Sequence, residues 1–104
     1  MRVDGMWHIE LDIPAGPREG MVRLVSVGRS LSGSWSDGTE HLLFEGGTVH
    51  DESVKWAVDA PSPVGPVSIV FDGRVKGNAI SGTVEVGSEG AAGLFRGERV
   101  SRSA

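Results

Sequence analysis

Short runs of alternating apolar and polar residues extend along the whole chain. Between residues 5 and 13, for example, Trp7, Ile9 and Leu11 alternate with polar or charged residues. Successive side chains of a β-strand point to opposite faces, so such a run has one apolar face and one polar face. No window of ten or more residues repeats apolar positions at the three- and four-residue spacing of an amphipathic helix. The pattern therefore predicts an all-β domain.

Glycine and proline divide this pattern into eight predicted strands. The chain contains 16 glycines and 5 prolines, and pairs such as Asp37-Gly38 are typical of hairpin turns. A short stretch at 48–50 follows Gly46-Gly47 and precedes the fifth strand. The predicted strands cover residues 5–13, 21–27, 30–36, 40–45, 53–60, 67–72 with an extension toward 76, 79–86 and 91–99.

The chain also repeats itself at an offset of 49 residues. Nine of the 34 positions from Trp7 to Glu40 are identical at this offset, whereas average residue usage predicts roughly two or three. Phe44 and Phe95 match at an offset of 51. The identical pairs are Trp7 and Trp56, Pro14 and Pro63, Gly16 and Gly65, Pro17 and Pro66, Gly28 and Gly77, Ser32 and Ser81, Gly33 and Gly82, Gly38 and Gly87, and Glu40 and Glu89.

This repeat predicts how the strands are arranged. Two four-stranded units placed edge to edge can close into one sheet, which removes the unpaired edges that each unit alone would leave. We therefore predict an eight-stranded, mostly antiparallel up-and-down barrel over residues 5–99, with repeats at 5–47 and 53–99. Residues 1–4 form an N-terminal extension and residues 100–104 a flexible tail in this prediction. An eight-stranded barrel is filled by side chains or holds one small ligand.

The repeated motifs resemble those of a group of small bacterial β-barrel proteins. Each half has Trp, a Pro-x-Gly-Pro turn, Leu/Ile-Ser-Gly and Phe-x-Gly, and the chain finishes in Phe95-Arg96-Gly97-Glu98-Arg99. The resemblance extends from Gly5 to Arg99. It implies an architecture similar to avidin-like and calycin-like barrels and to barrel-shaped cyclases. It carries over no catalytic residue, because the shared motifs are structural.

Composition excludes several classes of function. The formal net charge is −4 and the basic residues are scattered singly, so nucleic acid is not expected as a partner. The chain has no cysteine, no secretory signal pattern and no apolar span of the ~20 residues that a membrane helix needs. We therefore expect a soluble cytoplasmic protein that does not bind membranes. No phosphate-binding glycine motif and no metal-ligand spacing among the three histidines are present, so neither cofactor nor metal is expected.

Aromatic residues are the candidate ligand contacts. Trp35 stands out, because Val84 occupies the equivalent position of the second repeat and the duplication therefore does not explain it. Packing in the core is the alternative explanation for all of these residues. Arg96 is a further ligand-binding candidate. It belongs to the second half of the chain, which is the alternative location of the ligand site. The remaining candidates are Trp7, Phe44, Trp56 and Phe71.

Glu40 and His41 are the candidates for proton transfer near one barrel mouth. They are adjacent on a predicted strand, so their side chains point to opposite faces and only one can face the interior. If Phe44 points inward, Glu40 does as well, and a bulge after Asp37-Gly38 would reverse the choice. A carboxylate surrounded by tryptophans could act as a general base, and a solvated carboxylate at the rim is the alternative.

Three functions are compatible with these features. The first is binding of a small apolar or aromatic molecule inside the barrel. The second is a cofactor-independent lyase, isomerase or cyclase that uses the same pocket, and the third is a packed structural or interaction module. Outward apolar residues also predict a homodimer, since they would otherwise lie in water. These residues are Met21, Val25, Val27, Leu43, Val70 and Leu94.

Overall fold

The computed structural model describes residues 3–13, 16–61, 63, 65–87 and 91–100, and it is an antiparallel β-barrel. Each strand pairs with the next along the chain, and β8 pairs back with β1 to close the sheet. The predicted all-β, up-and-down barrel is thus confirmed. The described residues contain no helix long and apolar enough to cross a membrane. The strands are β1 (Gly5–Asp12), β2 (Arg18–Val27), β3 (Ser30–Ser36), β4 (His41–His50), β5 (Ser53–Ala60), β6 (Val67–Lys76), β7 (Ala79–Val86) and β8 (Ala91–Arg99).

Alternation along the strands forms the core. In β1, Trp7, Ile9 and Leu11 are buried, whereas Glu10 between them is exposed. The same two-residue period is seen in β5, where Val54, Trp56 and Val58 are buried, because neighbouring side chains point to opposite faces. In β3, β6 and β7 the buried residues lie four apart on one face. Within the described residues, no polar or charged side chain is fully buried. The interior of the barrel is therefore apolar and aromatic.

The fourth strand differs from its prediction. Sequence reasoning placed it at 40–45 and treated 48–50 as a separate short stretch after Gly46-Gly47, but β4 runs without a break from His41 to His50. The pairing with β3 shifts register here, since Leu31 pairs with Gly47 and Gly33 pairs with Phe44. Gly46 has a φ of 80°, which glycine adopts readily. Gly46 therefore forms a β-bulge, which bends the strand without ending it.

The connections at the two ends of the barrel differ in length. At one end, two-residue turns join β2 to β3, β4 to β5, and β6 to β7. Gly28 and Gly77 come first in their turns with φ of 61° and 60°, the sign pattern of type II′ hairpins. At the other end, connections of four to six residues join β1 to β2, β3 to β4, β5 to β6, and β7 to β8. We call this second end the loop end.

Side chains close the end with the short turns. The indole Nε1 of Trp7 donates a hydrogen bond to the carbonyl oxygen of Val3 at 3.0 Å. The guanidinium of Arg99 lies over the Trp7 ring, 4.3 Å from its centroid, and donates to the carbonyl oxygen of Asp4. Val3 is buried within the core cluster, although it precedes the predicted barrel range. These contacts leave the loop end as the place where the interior opens.

The internal duplication remains a prediction from the sequence. Pro14 and Glu89 of the repeat, and Gly90 at the position equivalent to His41, lie outside the described residues. Among the described ones, Gly33 pairs with Phe44 and Gly82 pairs with Phe95 in the corresponding strand pairs. The two halves therefore use matching residues at matching register positions.

Candidate functional site

A cavity of about 210 Å³ lies at the loop end of the barrel. Its wall combines inward side chains near the ends of β1, β3, β5 and β7 with those near the starts of β2, β4 and β6. Ten of its lining residues are apolar, and the three polar ones are Arg18, Asp37 and Glu40. The apolar lining consists of Leu11, Ile13, Trp35, Leu42, Val58, Ala60, Val67, Ile69, Phe71 and Val86.

Stacked aromatic rings fill the interior beneath this cavity. Trp56 lies between Phe71, at a centroid distance of 4.8 Å and an angle of 8°, and Phe44, at 5.8 Å and 17°. Phe95 meets the rings of Trp56 and Phe71 edge-on at 5.9 and 5.3 Å. Stacked and edge-on pairs are the favoured geometries of aromatic side chains. These rings form an aromatic cluster of Phe44, Trp56, Phe71 and Phe95, of which Phe71 lines the cavity.

Trp35 forms one wall of the cavity and is held from two sides. Its side chain is 7% exposed, and its ring lies over Gly20 on the neighbouring strand. A β-carbon at Gly20 would lie 2.5 Å from Cζ2 of the indole, so only glycine allows this approach. The indole Nε1 donates to Oδ2 of Asp37 at 3.3 Å. These two contacts fix the ring against the barrel wall and keep the cavity open.

Asp37 organises the turn at the mouth. Its Oδ1 accepts hydrogen bonds from the backbone N–H of Thr39 at 3.1 Å, the Thr39 hydroxyl at 2.9 Å and the backbone N–H of Glu40 at 2.9 Å. These bonds, with Thr39 the largest contributor, outweigh partial burial and lower the pKa of Asp37 to about 2. The carboxylate therefore stays ionised at neutral pH, and it accepts hydrogen bonds from the turn and from Trp35.

The structure separates the two candidate proton-transfer residues. Phe44 points inward, so the two-residue period places Glu40 toward the interior, where it lines the cavity. His41 begins β4 with an exposed side chain that does not line the cavity. The bulge in β4 falls at Gly46, after this part of the strand, and does not reverse the choice. Glu40 is thus the one of the pair that lies beside Trp35.

The other predicted site residues lie at different depths. Phe71 lines the cavity, and Trp56 and Phe44 lie below it in the aromatic cluster. Trp7 packs at the opposite, closed end. Arg96 is on the outer surface with 82% of its side chain exposed, and its Nη2 lies 3.6 Å from Glu10 Oε2. The cavity therefore brings together Trp35, Glu40 and Phe71, and it does not include Trp7 or Arg96.

Arg96 borders a second depression of about 990 Å³ on the outside of the barrel, over β1, β7 and β8. Its walls include the charged side chains of Glu10, Arg18 and Glu19, all exposed. This groove is larger than the interior cavity, but it is more open to solvent, and its lining combines Phe95 with the charged side chains. The cavity at the loop end is lined mostly by apolar residues and has two aromatic side chains, Trp35 and Phe71, in its wall, so it is the better candidate site.

One seam of the barrel is weakly paired. The ladder between β4 and β5 contains three residue pairs, Thr48 to His50 with Ser53 to Lys55. The other seven ladders contain at least six each. A depression lined by Leu43, Phe44, Ala57 and Asp59 lies over the unpaired part of this seam. The side of the barrel next to Phe44 is therefore held by fewer backbone hydrogen bonds than the rest.

Sequence reasoning missed several residues of this site. Asp37 was interpreted only as part of a turn, and Gly20 and Arg18 were assigned to the loop before the second strand. An Asp followed two residues later by Thr is a signal for side-chain capping of a turn. Neither the approach of Gly20 to Trp35 nor the position of Arg18 has such a local signal. Both depend on the register between strands.

Within the described residues, no group of three or more His, Asp or Glu side chains is arranged to hold a metal ion. Comparison of the sequence with models of known protein families and with curated proteins finds no match in either. The resemblance to small bacterial β-barrels thus stays an expectation.

Proposed function

We propose that this barrel binds a small apolar or aromatic molecule in the cavity at its loop end. The observation that carries this proposal is the apolar cavity beside Trp35 at the loop end, above an interior that is filled by side chains. Small-molecule sites are typically concave and apolar with a few polar groups, and here Arg18, Asp37 and Glu40 supply those groups.

The size of the cavity limits the ligand. Sites for drug-sized molecules measure roughly 300 to 1,000 Å³, and this cavity of about 210 Å³ is smaller. A molecule of one or two rings is therefore the expected ligand. Its ring would contact Trp35 and Phe71, whose centroids are 6.3 Å apart.

The experiment is a titration with indane, followed through the backbone ¹⁵N–¹H signals of Val58, Ile69 and Val86, which line the cavity and are present in the native protein and in both variants. Trp35→Ala should weaken indane binding by ~1–3 kcal/mol, the range for loss of a buried aromatic contact. Leu43→Ala is the matched control, because Leu43 is 78% exposed on the outer face. Unchanged signals with indane, together with no small molecule in a mass-spectrometric analysis of the purified protein, would contradict the proposal.

Catalysis at the same cavity is the second candidate. Glu40 lines the cavity beside Trp35, and it forms no ion pair with any described residue. A positioned carboxylate could take a proton from a bound substrate, and such a base contributes ~10²–10⁴-fold in rate. Glu40→Gln would then lower turnover by that factor, whereas His41→Ala, at an exposed position, would not. Binding without turnover of any bound molecule would leave ligand binding as the function.

A further inference from the structure

One indole N–H group in the interior has no hydrogen-bond acceptor among the described residues. Nε1 of Trp56 is buried without a partner, and the residue is 2% exposed. The other two indoles are satisfied, since Trp7 donates to Val3 and Trp35 donates to Asp37. A buried donor that has lost its bonds to water costs free energy, and nearly all such groups in proteins are paired. The Trp56 N–H is therefore available to a hydrogen-bond acceptor that enters the barrel.

Trp56 does not itself line the cavity, but it lies beside a residue that does. Trp56 pairs in register with Phe71, and their rings stack at 4.8 Å. Phe71 lines the cavity, as does Val58, which follows Trp56 on the same inward face of β5. A molecule that contacts Phe71 and Val58 in the cavity is thus next to the side chain that carries the unpaired donor.

We propose that the ligand of this cavity carries a hydrogen-bond acceptor oxygen, which the Trp56 N–H binds. This inference rests on the proposed function and narrows the ligand class. The acceptor is neutral, because aromatic rings surround Trp56 and a charged oxygen there would have no counter-charge. One- or two-ring ketones, lactones and esters fit these requirements, whereas pure hydrocarbons leave the donor unpaired.

The first test compares two probes of nearly the same shape, 1-indanone and indane, which differ by one carbonyl group. Three indole ¹⁵N–¹H signals are expected from ¹⁵N-labelled protein, and Trp→Phe variants assign them. Addition of 1-indanone should move the Trp56 signal downfield, as a new hydrogen bond to the N–H requires. Indane should cause no downfield shift of the Trp56 N–H signal. It should still change the Trp35 N–H signal, because Trp35 forms a wall of the cavity.

The second test measures both affinities in the native protein and in Trp56→Phe, which keeps an aromatic ring but lacks the N–H. The ratio of the 1-indanone to the indane affinity should fall about three- to tenfold in Trp56→Phe, the value of one neutral hydrogen bond. A change in packing caused by Trp56→Phe affects both probes, and the difference in hydration between the probes is the same for both proteins. Both effects therefore cancel when the two ratios are compared. Trp7→Phe is the matched control and should leave the ratio unchanged, since Trp7 lies at the closed end.

The outcomes separate this inference from the proposed function. Binding of both probes with an unmoved Trp56 signal and an unchanged ratio would overturn the inference alone. The donor would then be satisfied by an internal water or by the edge-on ring of Phe95, 5.9 Å away. Failure of both probes to bind would contradict the proposed function and this inference with it.

Discussion

The indole of Trp35 and the ring of Phe71 meet across the barrel interior with their centroids 6.3 Å apart and their planes at 33°. Each ring lies opposite a valine in register, since Trp35 pairs with Val22 and Phe71 pairs with Val84. At the 49-residue offset, Trp35 corresponds to Val84 and Phe71 corresponds to Val22. In each half, one of the two paired positions is aromatic and the other is valine. The first half has its aromatic residue on β3 and the second half has it on β6, and both rings line the same cavity.

The same exchange of large and small residues explains Gly20. The equivalent of Gly20 in the second half is Ile69, and the neighbouring strand there carries Val84. Gly20 instead lies beneath the ring of Trp35, which is much larger than a valine side chain. Gly20→Ala should displace the indole toward the cavity, because the new β-carbon would lie 2.5 Å from Cζ2. We expect a loss of ~1–3 kcal/mol in the free energy of unfolding, as for other overpacked cores, and weaker binding of indane. Urea denaturation and the indane titration measure these effects.

A double variant tests whether the Trp35 ring is the cause. Gly20→Ala combined with Trp35→Val removes the ring that the new methyl group would strike. The double variant should therefore lose less stability than the sum of the two single variants, which is the coupling expected for residues in contact. Additive losses would show that Gly20 is required for the backbone rather than for Trp35.

Asp37 should make stability depend on acidic pH. Its pKa in the folded protein is about 2, below the ~4 of an unfolded chain. A depressed pKa stabilises the fold above pH ~4, and this contribution is lost as the pH falls through about 2. Between pH 4 and pH 2, the melting temperature should thus fall more steeply in the native protein than in Asp37→Asn. Asp72→Asn, at an exposed position on β6, corrects for the change in net charge. Parallel curves for the native protein and Asp37→Asn would contradict this account.

The predicted homodimer now has one preferred face. Leu43 on β4 and Leu94 on β8 are both exposed, but three strands lie between them in either direction around the closed barrel, so they lie on opposite sides. Val25 and Val27 on β2 are exposed on the same side as Leu43, across the short side chains of β3. A twofold interface uses one patch on each protomer, and the β2 to β4 face carries three large exposed apolar side chains, Val25, Val27 and Leu43.

Light scattering tests this dimer with two matched variants. The native protein should have twice the monomer mass of 10.9 kDa at micromolar concentration. Leu43→Glu should reduce it to the monomer mass, because a charge would be buried in the interface, whereas Leu94→Glu should not. A mass of 10.9 kDa at every concentration of the native protein would reject the dimer.

Hydrogen exchange should identify the seam between β4 and β5 as the least protected part of the barrel. These strands share three residue pairs, so backbone groups of residues 41–46 and 56–60 that face the seam lack a strand partner there. Their amides should exchange faster than those of β7, which is paired with both neighbours along its length. Amide exchange followed by NMR gives the comparison. Equal protection of the two regions would show that the seam is closed in solution.

Local patterns in the sequence predicted the strands, and the internal repeat predicted that they close into a barrel. Alternation between the two faces and the glycine and proline turns gave the strands, because both depend on residues close together in the chain. The limits of β3, β5, β7 and β8 agree with the prediction. The inward position of Phe44 also placed Glu40 in the interior, since the two-residue period relates them directly. The ligand-binding and proton-transfer roles of the candidate residues stay predictions.

Other features were decided only by the tertiary structure. Gly46-Gly47 has the sequence of a turn, but pairing with β3 makes it a bulge within a strand. The sequence contains no sign that the ring of Trp35 lies over Gly20 or that the Trp56 N–H is left without a partner. These relationships depend on strand register and on how side-chain volumes fill a closed interior, which join residues far apart in the chain. Alternation therefore determined which side chains face inward, and packing across the barrel determined where they leave a cavity.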